Sequence, residues 1–74
     1  MKITPLDLQW QQLMALCENE ASFRAKGHHA RLLKLIGSDI DRLAHDMGFS
    51  ERRIATRDFR AERANGHIVR VVND

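Results

Sequence analysis

Arginine is the residue type whose spacing in this chain most clearly suggests chemistry. Five arginines lie close together in the C-terminal half: Arg52, Arg53, Arg57, Arg60 and Arg63. On a helix that turns about 100° per residue, all five fall within an arc of about 140°, with Glu51, Asp58 and Glu62 on the other side. Because guanidinium groups form forked hydrogen bonds with phosphate, such a helix is suited to binding a nucleic-acid backbone.

The same arginines have a second interpretation, as partners of acidic residues elsewhere in the fold or as a solvated face. Asp39, Asp41 and Asp46 are available for such pairing. Against this, Arg53 and Arg57 are four residues apart, and each like-charged pair at that spacing costs an isolated helix roughly 0.2–0.5 kcal/mol. A helix that needs only to be soluble would normally alternate the two signs, so both interpretations stay open.

The net charge of +2 is concentrated in the C-terminal part of the 74-residue chain. Residues 1–49 hold six basic and six acidic side chains, whereas residues 50–74 hold six arginines and four acids. This distribution favours a polyanionic partner, and we expect nucleic acid, with DNA ahead of RNA. The alternative is a small protein-interaction module, such as an adaptor, accessory subunit or inhibitor, that binds an acidic surface of a partner protein.

The element that comes first in the chain is a helix with a clear start. Thr4 and Asp7 have capping-box spacing, and Pro5 suits the first helical position. We predict that this helix runs to about Arg24 and that Gly27 stops it. Its apolar side chains repeat at helical spacing and form one stripe.

Glycine and serine divide the middle of the chain into two further predicted helices. A short second helix covers residues 31–36, and Gly37 ends it. Ser38 caps a third helix, which Gly48 ends. The connection from Gly48 to Ser50 is only three residues long and therefore predicts a sharp corner.

A fourth helix and an extended tail complete the prediction. Ser50 caps a helix from Glu51 to about Ala64, and Asn65-Gly66 stops it. Residues 68–72 are rich in β-branched side chains and predict a lone strand within a tail of residues 66–74. The predicted fold is therefore all-α, a single domain over residues 1–74 with three or four helices. Because a lone strand has unpaired edges, a homodimer through the first helix or this strand is expected.

The spacing around the predicted corner resembles the helix-turn-helix family. Counted from Ile40, apolar residues stand at positions 4, 8, 10 and 15, Ala44 stands at 5 and Gly48 at 9. The resemblance covers residues 38–64 and implies a DNA-binding transcription regulator, although Arg57 replaces the usual apolar residue at position 18. The expected nucleic-acid-binding residues are Ser50, Arg52, Arg53, Thr56, Arg57, Arg60 and Arg63.

A second, shorter stretch is similar to another family. Residues 41–54 carry a pattern of Asp-Arg, then Asp, an apolar residue, Gly, an apolar residue and Ser, with Ile54 at the end. This pattern resembles the YjiS-like family of small arginine-rich bacterial proteins. The resemblance implies a small helical module with RNA-linked or phosphate-linked roles.

Catalytic and metal-binding chemistry find little support in the sequence. The histidines at positions 28, 29, 45 and 67 fit no standard metal spacing, and Cys17 has no base near it in the chain. We therefore expect no enzyme activity, no cofactor and no metal. The apolar runs are too short for a membrane helix, and the polar N-terminal stretch does not resemble a secretory signal, so we expect a soluble cytoplasmic bacterial protein without a membrane partner.

Overall fold

Three helices and one β-hairpin make up the computed structural model, which describes residues 3–74. The elements are α1 (Pro5–Lys26), α2 (Ala30–Met47), α3 (Glu51–Thr56), β1 (Arg60–Ala64) and β2 (His67–Val72). The two strands form an antiparallel sheet, so the chain has a mixed α/β fold. The all-α prediction is wrong.

Helix α1 begins with the predicted capping box. The Thr4 hydroxyl accepts a hydrogen bond from the backbone N–H of Asp7 at 3.1 Å, and the Asp7 carboxylate accepts one from the Thr4 N–H at 3.2 Å. These bonds satisfy two of the N–H groups that a helix start leaves without partners. At the other end Gly27 takes a left-handed conformation with φ of 77°, so the predicted stop is confirmed.

Helix α2 is continuous where the sequence predicted a break. Gly37 and Ser38 lie inside it, so the predicted stop and cap at these positions are wrong. Ile36 and Ile40 are one turn apart and both are buried. Packing of this face against α1 holds the helix together and offsets a glycine cost of about 1 kcal/mol.

The core lies between the two long helices and extends to the corner that follows them. The three-residue connection from α1 to α2 folds the second helix back along the first. The buried residues of this cluster are Leu13, Ile36, Ile40, Ala44, Met47, Phe49 and Ile54. The corner lies where the sequence placed it, because Gly48 is left-handed and the Ser50 hydroxyl caps α3.

Helix α3 is much shorter than predicted. It ends after six residues, because Arg57 adopts a left-handed conformation with φ of 57° and donates its N–H to the Arg53 and Ile54 carbonyls. The chain then extends, and the Phe59 ring packs against Phe49 with 4.9 Å between centroids. The predicted helix from Glu51 to Ala64 is therefore wrong beyond Thr56.

The residues that were predicted to end that helix form a hairpin turn instead. Asn65 and Gly66 both have positive φ, at 54° and 80°, which is the conformation of a type I′ turn. The turn pairs β1 with β2 from Arg60 opposite Val72 to Ala64 opposite His67, with one register shift. The predicted strand exists but is not alone, because β1 pairs with one of its edges. The expected homodimer stays a prediction.

The hairpin docks at the end of the molecule where α1 starts and α2 ends. Asp7 accepts a hydrogen bond from the Ile68 N–H at 2.7 Å. Asn73 donates to the Gly48 carbonyl at 3.0 Å and accepts from the Ser50 N–H at 2.8 Å. At 1.5 Å per residue, Lys26 at the other end of α1 is about 28 Å from Asp7 along the helix.

Candidate nucleic-acid interface

The seven residues predicted to bind nucleic acid do not share one helix face. Ser50 caps α3, Arg57 ends it, and only the three residues Arg52, Arg53 and Thr56 lie within it. Arg60 and Arg63 lie on β1. The arc of five arginines required a helix to residue 64, and it disappears with that helix.

The two predicted hydroxyl groups are used inside the fold. The Ser50 hydroxyl accepts the Arg53 N–H at 3.3 Å as the cap of α3. The Thr56 hydroxyl donates to the carbonyl of Arg52 at 2.9 Å. Both contacts are local backbone contacts of the kind that stabilise helix ends.

Arg53 is a structural residue. It is 8% exposed, and its guanidinium donates to the carboxylate of Asp58 and to the carbonyl of Asp74. These bonds connect α3 to the segment before β1 and to the segment after β2. A guanidinium so enclosed is not available to a phosphate group.

Arg57 joins all three helices through one guanidinium group. It donates to both carboxylate oxygens of Glu20, at 3.2 and 3.1 Å, and to Asp41 at 2.7 Å. Glu20 is buried on α1. Partial burial disfavours the charge on Arg57, but the hydrogen bonds to Glu20 and Asp41 outweigh it and raise the pKa of Arg57 above its usual value.

The strand arginines are partly neutralised as well. Arg60 donates to Asp58 at 3.1 Å, and Arg70 donates to Glu62 at 2.8 Å and lowers the pKa of that carboxyl. Within residues 3–74, the predicted binding arginines left exposed and without an ion pair are Arg52 and Arg63. For Arg53 and Arg57 the second interpretation, pairing with acids elsewhere, describes the structure.

A second group of basic side chains lies at the opposite end of the helical pair. Residues 21–38 contain four basic side chains and no acidic one. We call these four exposed residues, at the end of α1 and the start of α2, the basic end: Arg24, Lys26, Arg31 and Lys34.

The contacts of the basic end are few. Arg24 is 3.9 Å from the Glu20 carboxylate, which is already bonded to Arg57. Lys26 lies over the Phe23 ring at 5.3 Å. Arg31 and Lys34 form no ion pair with any residue that the structure describes. Arg31 and Lys34 are therefore free to contact an external anion, and Arg24 has only one long ion pair.

The basic end was missed in the sequence analysis because the charge was counted over the whole of residues 1–49. Residues 1–49 are neutral as a block, since six acidic side chains, all outside residues 21–38, cancel the four cations of residues 24–34 together with Lys2 and Arg42. Charge counted in windows of about one helix length would have found it.

Other kinds of site have less support among residues 3–74. The described residues contain no group of three or more metal-ligating side chains that could hold an ion. Burial raises the pKa of the Cys17 thiol, which makes it a weaker nucleophile at neutral pH. No helix within this range is both long and apolar enough to cross a membrane.

Comparison with known proteins gives no relative on which to base a function. No protein-family model matches the sequence, and no curated protein or solved structure is significantly similar to it. The resemblances to the helix-turn-helix and YjiS-like families therefore stay predictions.

Proposed function

We propose that this chain is a small non-enzymatic nucleic-acid-binding domain whose basic end contacts the phosphate backbone. The observation that supports this most is the concentration of four exposed basic side chains, with no acidic residue in positions 21–38. Each phosphate that such a side chain neutralises releases a counterion, which favours binding at low salt.

The positions of Arg31 and Lys34 strengthen the proposal, whereas those of Arg24 and Lys26 have an ordinary structural reason. Arg24 and Lys26 lie at the C-terminus of α1, where the helix dipole favours positive charge. Arg31 and Lys34 lie in the first turns of α2, which has no acidic residue in its first turn. Basic residues there oppose the helix dipole and cost stability, so their presence favours a role in binding.

The proposed contact is to the backbone and carries no direct sequence information. Helix α3 has only six residues and one exposed arginine without an ion pair, Arg52. Backbone contacts position a protein on a duplex without selecting a sequence. The expected binding is therefore weak, salt-dependent and similar for unrelated sequences, and a regulatory role would need a further partner for specificity.

Fluorescence anisotropy with a labelled DNA duplex and a labelled RNA hairpin tests the proposal. If about four phosphates are neutralised, log K on the duplex falls with log salt at a slope of roughly −3 to −4 between about 50 and 200 mM salt. Changing Arg31 and Lys34 to Ala flattens the slope by about two units. The matched control changes Arg52 and Arg63 to Ala, which removes the same charge elsewhere and leaves the slope unchanged.

Two results would contradict the proposal. One is no binding of either polymer at about 50 mM salt, where a counterion-driven contact is strongest. The other is a slope that falls with the Arg52 and Arg63 changes but not with the Arg31 and Lys34 changes. That result would return the site to the residues predicted from the sequence.

A second candidate function, docking on an acidic surface of a protein, is favoured by the leucines of the same region. Leu35 is 60% exposed and Leu32 is 37% exposed, beside Arg31 and Lys34 on α2. Leucine gains little from a phosphate backbone, but it buries apolar area at a protein interface. Site-specific photo-crosslinking from position 35 tests this candidate, and a specific adduct must disappear in the Arg31→Ala, Lys34→Ala variant.

A further inference from the structure

A pocket lies between the first turns of α1 and the β-hairpin, away from the basic end. Its volume is about 370 Å³. Its walls come from Trp10 on α1, from Arg63 on β1, and from His67 and Ile68 on β2, and Ile3 also lines it. A volume of this size lies in the range of small-molecule sites, which is about 300–1,000 Å³.

Arg63 and His67, which both line the pocket, have free hydrogen-bonding capacity. Arg63 is exposed and forms no ion pair with any described residue, although it lines the pocket. The His67 ring is held by a 2.7 Å contact between Nδ1 and the Asp7 carboxylate, so Nδ1 carries the donated proton, and Nε2 donates to an anion when both ring nitrogens are protonated. A guanidinium and an imidazolium together are suited to an anion.

The carboxylate of Asp7 also lines the pocket, but its bonding capacity is used within the fold. It accepts hydrogen bonds from the Ile68 N–H at 2.7 Å and from the Thr4 hydroxyl at 2.9 Å, besides its contact with His67. These donors offset its negative charge. It therefore orients the histidine rather than offering a site for a cation.

The rest of the wall is apolar and includes one large ring. Trp10 is half-buried, and its ring also packs near Phe49 with 6.5 Å between centroids. Ile68 is 4% exposed, so it forms a fixed apolar part of the wall. An indole beside a cationic group is suited to a ligand with a flat apolar ring.

From this arrangement we propose that the pocket binds a small aromatic anion. The carboxylate or phosphate group of the ligand accepts hydrogen bonds from Arg63 and from the protonated ring of His67, and its own ring lies against Trp10. This site is separate from the proposed nucleic-acid surface, since it lies at the other end of α1. Its test does not depend on whether the basic end binds nucleic acid.

The chain carries its own reporter for the experiment, because Trp10 is its single tryptophan. Intrinsic fluorescence is followed while benzoate or phenyl phosphate is added, with benzyl alcohol as the uncharged comparison. We expect a saturable change with at least one anion, at a Kd on the order of 1 mM, and none with the alcohol. The two anions distinguish a carboxylate site from a phosphate site, and NMR shifts of the amides of residues 66–68 locate the binding.

Matched variants then assign the site. Arg63→Gln weakens binding about tenfold, as expected for the loss of a charge-assisted hydrogen bond. Arg52→Gln removes the same charge from an exposed arginine outside the pocket and leaves the Kd unchanged. The proposal is overturned if neither anion saturates the signal by about 20 mM, if the alcohol binds equally well, or if the two variants weaken binding equally.

Discussion

Replacement of Arg57 by alanine is the change whose effect on stability follows most directly from the structure. Removing one partner of a buried ion pair costs about 3–5 kcal/mol, because the other charge is left without compensation. Here the Glu20 side chain is 7% exposed, but that of Arg57 is 29% exposed, so solvent reduces the loss. We expect Arg57→Ala to lower the free energy of unfolding by about 2–3 kcal/mol. A chain of this length has roughly 4–11 kcal/mol in total.

Two further variants separate the ion pair from the backbone strain at the same residue. Arg57 has φ of 57°, a conformation that costs a residue with a side chain about 1–2 kcal/mol relative to glycine. Arg57→Gly should therefore be about 1 kcal/mol more stable than Arg57→Ala, although both lose the guanidinium. Combining Arg57→Ala with Glu20→Gln should recover part of the loss, because the buried charge is removed too.

Urea unfolding, followed by circular dichroism at a helix wavelength and by Trp10 fluorescence, measures these differences. The matched control is Arg52→Ala, which removes an exposed arginine without an ion pair and should change stability by less than about 0.5 kcal/mol. The reasoning is refuted if Arg57→Ala and Arg52→Ala have the same midpoint. It is also refuted if the Glu20 and Arg57 changes add without coupling.

Two other changes test the hairpin and its attachment to α1. Gly66→Ala should destabilise the protein by about 1 kcal/mol in the same urea assay, because the turn needs φ of 80° there; an unchanged midpoint would contradict the type I′ turn. Hydrogen bonds from the Ile68 N–H and from His67 hold the pKa of Asp7 far below its usual range. A carboxyl with a lowered pKa contributes its stability fully above its unfolded value of about 3.9 and loses it as the pH falls toward the folded value. Asp7→Asn should therefore make the loss of stability between about pH 5 and pH 2 less steep, whereas Asp46→Asn, at an exposed position, should not; equal curves would contradict this role of Asp7.

Local signals in the sequence predicted the helix ends well. The cap at Thr4, the stop at Gly27, and the corner formed by Gly48 and Ser50 all depend on contacts within a few residues. Such contacts are determined by side-chain type and spacing alone. Gly37 shows the limit of this reasoning, because packing of the neighbouring isoleucines decides that the helix continues.

The hairpin shows what tertiary structure adds. Residues 57–64 include good helix formers, but two tertiary contacts keep this segment extended. Phe59 packs on Phe49, and the turn pairs β1 with β2. Asn-Gly between two such segments is a strong hairpin signal, and it was interpreted as a helix stop. No local pattern shows that Arg53 becomes buried or that Arg57 meets Glu20, which is 37 residues away in the chain.

The hydrogen bond from Ile68 to Asp7 joins residues 61 positions apart. Because synthesis proceeds from the N-terminus, Asp7 is made well before its partner. Contacts between α1 and α2 need only the residues up to Met47. The strand that covers the start of α1 is made roughly 1–5 s later, at about 5–20 residues per second. Through that interval the apolar side of Trp10 and Phe49 that faces the hairpin is open to water and to other molecules. The nascent protein is therefore most prone to association before its last strand docks.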